Sequence, residues 1–437
     1  MREVRRLRIV VVGLLMAMPF FLPPPEVRAE EAAPENPPAE ATPVGEEPQP
    51  DTAAASQEPE SNLELKEDGL HFLKYFRLNG NLQFWWRAYE GAENDRHQLL
   101  TLDRASEMAS GFSFRQVRLA LSFETQYVEV RAELGLETGP QLLDAYAVLN
   151  LWRTYIQLRA GQMKIPSTYE AMLPSTDLDF ASMSVFSELS PNWALSKHAS
   201  LTSPFQGVRT FGRDMGVALL GSYRSFDYLL MVGNGLGANL GIGASESKQY
   251  VYSNDVGAYF YGGRLSVDFA RMFPEVFAKA YCETLSFGGQ VSYNRHPNLL
   301  FTDQRTVLDL ERFSWSVDAT LAVTPYVRVT GLFGEGRIDD DFDNDQKRDY
   351  RYRGWEAKLM VAPIPDTLEL GFRADAYIQE YAENHHPETL MSYSFGISYR
   401  FWQYLRVDAN YKMKRLESYT NPDIKDDLVL LQLQAKI

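Results

Sequence analysis

The sequence has a single cysteine, Cys282, so an intramolecular disulfide is excluded and hydrogen bonds and packing must hold the fold together. After residue 29 it also has no run of about 18 apolar residues, so the mature chain is predicted to have no helical membrane span. Basic residues are in deficit, with 43 Lys and Arg against 58 Asp and Glu and a net charge of -15. This balance speaks against nucleic acid as a partner.

Two N-terminal segments are predicted to lie outside the folded domain. Residues 1–29 combine a basic start, an apolar run from Ile9 to Leu22 and a small-residue site ending at Ala29, which is the pattern of a secretory signal peptide. Residues 30–62 are rich in Pro, Glu and Ala and contain no aromatic residue, which predicts a disordered, acidic periplasmic tether. The folded domain is therefore expected to span residues 63–437.

The stretch RLALSFETQYVEVRAELGL, residues 118–136, alternates apolar and polar residues in two runs separated by a narrow break. A period of two is typical of a β-strand, because successive side chains point to opposite faces. The stretch therefore predicts two strands joined by a tight turn. In a soluble sandwich the apolar face would meet a second sheet, whereas in an outer-membrane barrel it meets lipid and the charged face lines the lumen.

The rest of the chain favours the barrel. The alternation continues to the C terminus in about 16 strand candidates, an even number, as single-chain bacterial barrels require. Tight turns near 125, 153, 222–225, 324–325, 363–365 and 403 alternate with long links, although 137–141 is short and 270–284 is long for its place. Short periplasmic turns and long external loops are typical of such barrels. The prediction is an all-β, transmembrane antiparallel β-barrel in the outer membrane of a Gram-negative-type bacterium.

A barrel of about 16 strands is too wide for side chains to fill and leaves an aqueous channel, so its inner face must be polar. Lumen positions that could set the selectivity of such a channel carry both signs of charge. The predicted pore-lining residues are Arg118, Arg131, Arg159, Arg264, Arg328, Arg373, Glu129 and Glu133. For each arginine the alternative is a cross-strand pair with a carboxylate, which would only keep the wall polar.

Residues 144–180, 212–223 and 230–237 carry a set of motifs in a fixed order. They comprise Asp144-Ala145-Tyr146, Gly161-Gln162 with Lys164, Pro166 and Glu170, then Arg213-Asp214 with Gly216, and Asn234-Gly235. In this order and spacing they resemble the phosphate-selective porin O and P family. The resemblance is clear over about residues 112–270 and general elsewhere.

The resemblance implies a 16-stranded homotrimeric barrel whose long third loop, residues 164–210 here, folds inward to narrow the pore. Better-known members conduct phosphate or polyphosphate along a ladder of arginines and lysines. The expected constriction residues of this chain are Lys164, Glu170, Asp177 and Asp179. Because three of them are acidic, a general or weakly selective porin is the alternative to phosphate selectivity.

DFDNDQKRD, residues 341–349, places Asp341, Asp343, Asp345 and Asp349 at the oxygen-ligand spacing of a calcium loop. Gln346 stands where such loops have glycine, and Tyr352 where they have a bidentate glutamate. The alternative is a solvated acidic external loop.

The predicted function is passive diffusion of small hydrophilic solutes, anions and phosphate among them, through a pore that contacts outer-membrane lipid and needs no cofactor. Two alternatives are a plugged barrel that serves as a surface anchor or adhesin, and an outer-membrane hydrolase. A hydrolase needs a nucleophile or activated water beside a base. Of the six histidines, the pair His385-His386 lies in an external loop and could bind metal or act as a base, but no Ser or Asp partner is indicated by spacing, so no enzyme is expected.

Overall fold

The computed structural model describes residues 75–90, 111–137, 140–189, 212–235, 240–241, 259–300, 306–342, 350–381, 387–418 and 421–436. The signal segment, the tether, residues 190–210 of the predicted inward loop and the calcium positions Asp343, Asp345 and Asp349 lie outside these ranges. What was expected of them stays a prediction.

Sixteen strands of the described chain form one closed antiparallel sheet, in which β1 pairs with both β2 and β17. A two-residue strand, β8, pairs with the start of β4. The strands are β1 Phe76–Glu90, β2 Gly111–Glu124, β3 Val128–Gly135, β4 Gln141–Trp152, β5 Ile156–Lys164, β6 Arg213–Tyr223, β7 Phe226–Gly233, β8 Leu240–Gly241, β9 Tyr259–Asp268, β10 Cys282–Leu300, β11 Thr306–Val323, β12 Val327–Phe342, β13 Tyr350–Ile364, β14 Leu368–Tyr381, β15 Glu388–Trp402, β16 Leu405–Ser418 and β17 Asn421–Lys436. The predicted antiparallel barrel is confirmed.

The two faces of this sheet are the reverse of those of a soluble protein. Apolar side chains such as Leu265, Val291 and Val317 are exposed, whereas Asp408 and Gln432 are buried on the other face. A closed sheet with an apolar exterior is what a bilayer requires, because every backbone N–H and C=O is paired between strands and the outer side chains meet lipid. The polar face is therefore the lumen.

Tight turns join the strands at one end of the barrel, as predicted. They occupy residues 125–127, 153–155, 224–225, 324–326, 365–367 and 403–404. Four of them contain a non-glycine residue of positive φ, namely Arg153, Arg224, Thr324 and Asp366. Such φ values are typical of tight reversals, where the chain must turn within a few residues. By the rule that periplasmic turns are short, this end faces the periplasm.

The helices within the described ranges are few and short. They are α1 Tyr169–Met172, α2 Val185–Leu189, α3 Phe269–Met272 and α4 Pro274–Lys279, together with a 3₁₀ turn, Ser175–Asp177. The first two and the 3₁₀ turn lie in the link between β5 and β6, and the last two in the link between β9 and β10. No helix in the described part of the chain is long and apolar enough to cross a membrane.

The assignment of the two faces can be tested at the middle of the wall. Val291 pairs with Gly263 near the centre of β9 and belongs to the exposed apolar row. We expect Val291→Arg to destabilise the barrel by about 2–4 kcal/mol, because an arginine is costly on the lipid face at the bilayer midplane. The urea midpoint for folding into phospholipid vesicles measures the change. Ser292→Arg on the lumen face is the matched control, and an equal loss in both variants would contradict the assignment.

Candidate functional site

The segment that follows β5, residues 165–189, crosses the lumen; we call it the lumen segment. Its partners include Asp375 on β14, which accepts a hydrogen bond from the Val185 amide at 2.7 Å. In the ring of sixteen strands β14 lies eight positions from β5, so it stands diametrically opposite. These contacts lie on the polar face of the wall, which is why the segment must run through the inside of the barrel.

Lys164, the last residue of β5, shapes the start of the lumen segment. Its ammonium donates to the carbonyl oxygens of Ala171, Met172 and Leu173, with the Leu173 contact at 2.5 Å. Thr168 closes the other end of α1, because its hydroxyl accepts from the Ala171 amide. A cation at a helix C terminus satisfies carbonyls that have no partner within the helix. Lys164 therefore caps α1 from beneath.

Arg373 of β14 fixes the far side of the segment. Its guanidinium donates to the carbonyls of Ser182 at 2.8 Å and Met183 at 3.1 Å and lies 3.4 Å from the Glu170 carboxylate. The ring centre of Phe180 is 4.7 Å from the guanidinium carbon. The Arg373 side chain has 0% exposure, so it lies beneath the lumen segment and out of contact with lumen water.

Glu170 joins this arginine to the backbone of the lumen segment. Its second carboxylate oxygen accepts a hydrogen bond from the Ser184 amide at 2.7 Å. Burial alone would raise the pKa of Glu170, but the Lys358 and Arg373 cations and the Ser184 hydrogen bonds outweigh it and hold the pKa below its usual value. The carboxylate is therefore charged when the segment is docked.

Asp179 forms a second ionic contact with the wall. Lys358 of β13 lies 2.7 Å from its carboxylate, and Arg328 of β12 pairs with the other oxygen. Burial would raise the pKa of Asp179, but these two cations lower it below its usual value. Asp177, by contrast, is exposed and accepts a hydrogen bond from its neighbour Thr176.

The wall near the start of the segment carries further paired arginines. Glu133 of β3 lies 3.2 Å from Arg118 on β2 and 2.8 Å from Arg131 on its own strand. Arg264 of β9 makes two contacts with Asp318 of β11, at 2.7 and 2.8 Å. Only Arg118 pairs with a carboxylate on a neighbouring strand, the alternative foreseen for each arginine. Arg131 pairs within its own strand, Arg264 with a strand two positions away, and Arg328 and Arg373 with the lumen segment.

Arg159 and Glu129 differ from this set. Arg159 of β5 lies with its guanidinium carbon 4.5 Å from the ring centre of Tyr146, and within the described ranges it has no carboxylate partner. Glu129 of β3 is half-buried and forms no ion pair with a described residue.

Of the predicted calcium positions, Asp341 lies near the end of β12, and the others fall outside the described residues.

Sequence reasoning missed the aromatic anchors of the lumen segment. Phe180 and Phe186 are buried against inward glycines. A Cβ on Gly354 of β13 would lie 2.2 Å from the Phe186 ring and 2.6 Å from the Ala376 carbonyl oxygen. The signal was present in the sequence, because glycines occupy lumen-facing positions of four successive strands where polar residues would be expected. They are Gly334, Gly354, Gly371 and Gly396.

We expect Gly354→Ala to loosen the docked segment by about 1–3 kcal/mol, the usual cost of overpacking a closed site. The added methyl group collides with backbone as well as with the Phe186 ring, so the segment must shift. Hydrogen–deuterium exchange of the Val185 amide should become faster. Gly331→Ala on β12 is the control, since the nearest atom to its Cβ is 4.0 Å away. Equal exchange in both variants would show that the contact does not hold the segment.

Comparison with known proteins places the fold. No family model and no curated protein matches the sequence. Among solved structures, an anion-selective porin from Comamonas acidovorans has a TM-score of 0.54 at 12% identity, over 83% of this chain and 99% of that one. The outer-membrane channel DcaP of Acinetobacter baumannii has a TM-score of 0.52 at 12% identity, over 83% and 97%. A trimer form of OmpT, an outer-membrane protein of Vibrio cholerae, has a TM-score of 0.52 at 9% identity, over 83% and 99%.

At these identities the likeness establishes the fold, that of a porin-like outer-membrane barrel. The predicted localisation, a Gram-negative-type outer membrane, agrees with this fold and with the apolar exterior.

Proposed function

We propose that the protein is an outer-membrane porin that lets small hydrophilic solutes diffuse passively and favours anions. The observation that carries the proposal is Arg159, a lumen-face arginine on β5 without a carboxylate partner among the described residues. The lumen segment is drawn by buried ion pairs to the wall opposite. In this proposal the part of the lumen that the segment leaves open to water therefore lies beside Arg159, a positive charge with no carboxylate partner among the described residues.

The charges on the neighbouring strands also favour anions. Arg118 and Arg131 share one carboxylate, that of Glu133. Asp144 of β4 is paired with Arg213 of β6 at 2.7 Å. With Arg159, the described part of this wall therefore sets four arginines against Glu129, Glu133 and Asp144, a surplus of one positive charge. Charge at a narrow, poorly screened passage decides which ions enter, so a small surplus is enough for a preference.

Phosphate is the finer part of the proposal. It rests on the motifs shared with the phosphate-selective porins and on the bidentate geometry with which guanidinium groups bind phosphate oxygens. The anion selectivity of the Comamonas acidovorans porin is that protein's own property, but a barrel of the same fold can carry it. The expected assembly is a homotrimer, a form also known for OmpT of Vibrio cholerae.

The test is single-channel recording of the refolded full chain in a planar bilayer. Stepwise conductance, a reversal potential of anion-selective sign in a salt gradient, and block of chloride current by phosphate are the expected results. Conductance steps without anion preference would indicate a general porin. Anion-selective steps that phosphate does not block would indicate an anion porin without phosphate selectivity. A correctly folded barrel without conductance would contradict the porin and favour the plugged anchor.

We expect Arg159→Gln to reduce the anion preference several-fold while leaving the folded barrel intact, because it removes a lumen charge that no described carboxylate pairs with. The reversal potential measures this directly. Arg353→Gln is the control for loss of a charge outside the lumen, since Arg353 lies in the outward row of β13 with Leu359, pairs with Glu380 at 3.2 Å and has a side chain that is 55% exposed. The same shift in both variants would remove Arg159 from the selectivity site.

A further inference from the structure

The link between β9 and β10, residues 269–281, departs from the turns around it; we call it the foot. It lies at the end of the barrel that carries the tight turns, because the Asp268 amide donates to the Ser225 carbonyl at 2.8 Å. On its other side the Thr324 amide donates to the Tyr281 carbonyl at 2.7 Å. The described links at that end are otherwise two or three residues long, so the foot is an addition that closing the barrel does not require.

The foot has a defined structure of two short helices. The Asp268 carboxylate caps α3, accepting hydrogen bonds from the Ala270 amide at 2.9 Å and the Arg271 amide at 3.4 Å. Pro274 opens α4 at the first helical position, where its missing N–H costs nothing. Both helices pack against β10. Their side chains are therefore held in fixed directions.

The foot presents apolar side chains to its surroundings. Phe273 is 50% exposed, Val276 63% and Tyr281 73%. A periplasmic loop in water would place polar residues at such positions, because each exposed apolar side chain forgoes favourable burial. Burial of these side chains would require an apolar partner, and the described residues do not provide one.

The neighbour is indicated by continuity with the lipid-facing belt. The Phe269 ring meets the Phe287 ring edge to face, with centroids 5.8 Å apart. Phe287 of β10 is 47% exposed and belongs to the same outward row as Val291. Since that row faces lipid, the foot begins on the outer rim of the barrel, where the bilayer ends.

We propose that the foot is a membrane-interface anchor, with Phe273, Val276 and Tyr281 inserted into the periplasmic leaflet of the bilayer. Aromatic side chains are favoured at the headgroup level, where an apolar ring and a polar tip are both satisfied. The exposed cations Arg271, which also lies 3.2 Å from the Asp268 carboxylate, and Lys279 suit phospholipid phosphates, and they outnumber the one exposed carboxylate of the foot, Glu275. The proposal rests on the barrel fold and does not depend on conduction.

Spin labelling tests the proposal in the full chain refolded into phospholipid vesicles. In a Cys282→Ser background, Val276→Cys and Phe273→Cys each receive a nitroxide. Phe287→Cys is the lipid-exposed reference, and Gln126→Cys, in an exposed tight turn at the same end, is the aqueous reference. The measured quantity is the ratio of collision rates with oxygen and with a water-soluble nickel chelate.

We expect a collision ratio at position 276 several-fold above that at 126 and close to that at 287. A ratio equal to that at 126 would overturn the proposal and leave the foot in water. Protection from both collision agents, with strong immobilisation, would also overturn it and point to protein contact. Position 273 gives the same decision if the label at 276 prevents folding.

Discussion

The docking of the lumen segment depends on one arginine that water does not reach. Arg373 has 0% exposure and holds Glu170 and the carbonyls of Ser182 and Met183 from the wall opposite β5. Burying an ion pair is itself of little net benefit, but removing one partner leaves an uncompensated buried charge at a cost of about 3–5 kcal/mol. The pair therefore specifies where the segment lies more than it stabilises the barrel.

This constraint connects the wall to the channel. The carboxylates of Glu170 and Asp179 pair with cations of β12, β13 and β14, and of these Lys358 and Arg373 are buried away from solutes whereas Arg328 stays partly exposed. On the wall where the segment begins, two arginines share one glutamate, and a third, Arg159, has no carboxylate partner among the described residues and lies against the Tyr146 ring. Under the proposed function, the docked lumen segment both narrows the channel and determines which charged side chains of the wall stay exposed to the water in it.

Much of the barrel was predictable from the sequence because strand geometry has a period of two. The parity of each residue assigns it to lipid or lumen, and the alternation of short and long links orients the chain. Partners across the lumen were not predictable. Glu170 and Arg373 are 203 positions apart, and only the register of the seven strands between β5 and β14 in the ring brings them together. The role of Lys164 as a helix cap depended equally on where the chain turns after β5.

At the inward glycines the alternation of polar and apolar residues fails because aromatic side chains of the lumen segment occupy the space. Alternation predicts polar residues at Gly334, Gly354, Gly371 and Gly396, yet these positions receive Phe180 and Phe186. The foot is the opposite case, since it is a long link with exposed apolar residues at an end of the barrel where the other described links are short turns. Both departures mark places at which the wall contacts something other than water.

The most direct test of the account is a double-mutant cycle on Glu170→Gln and Arg373→Gln, followed by hydrogen exchange of the Ser184 amide. If the pair positions the lumen segment, each single variant should raise the exchange rate on the order of a hundredfold, as the loss of about 3 kcal/mol implies. The double variant should show less than the sum of the two single effects, because the two side chains share one ion pair although each also makes contacts of its own. Additive effects, or a Ser184 amide that is unprotected in the parent chain, would contradict it.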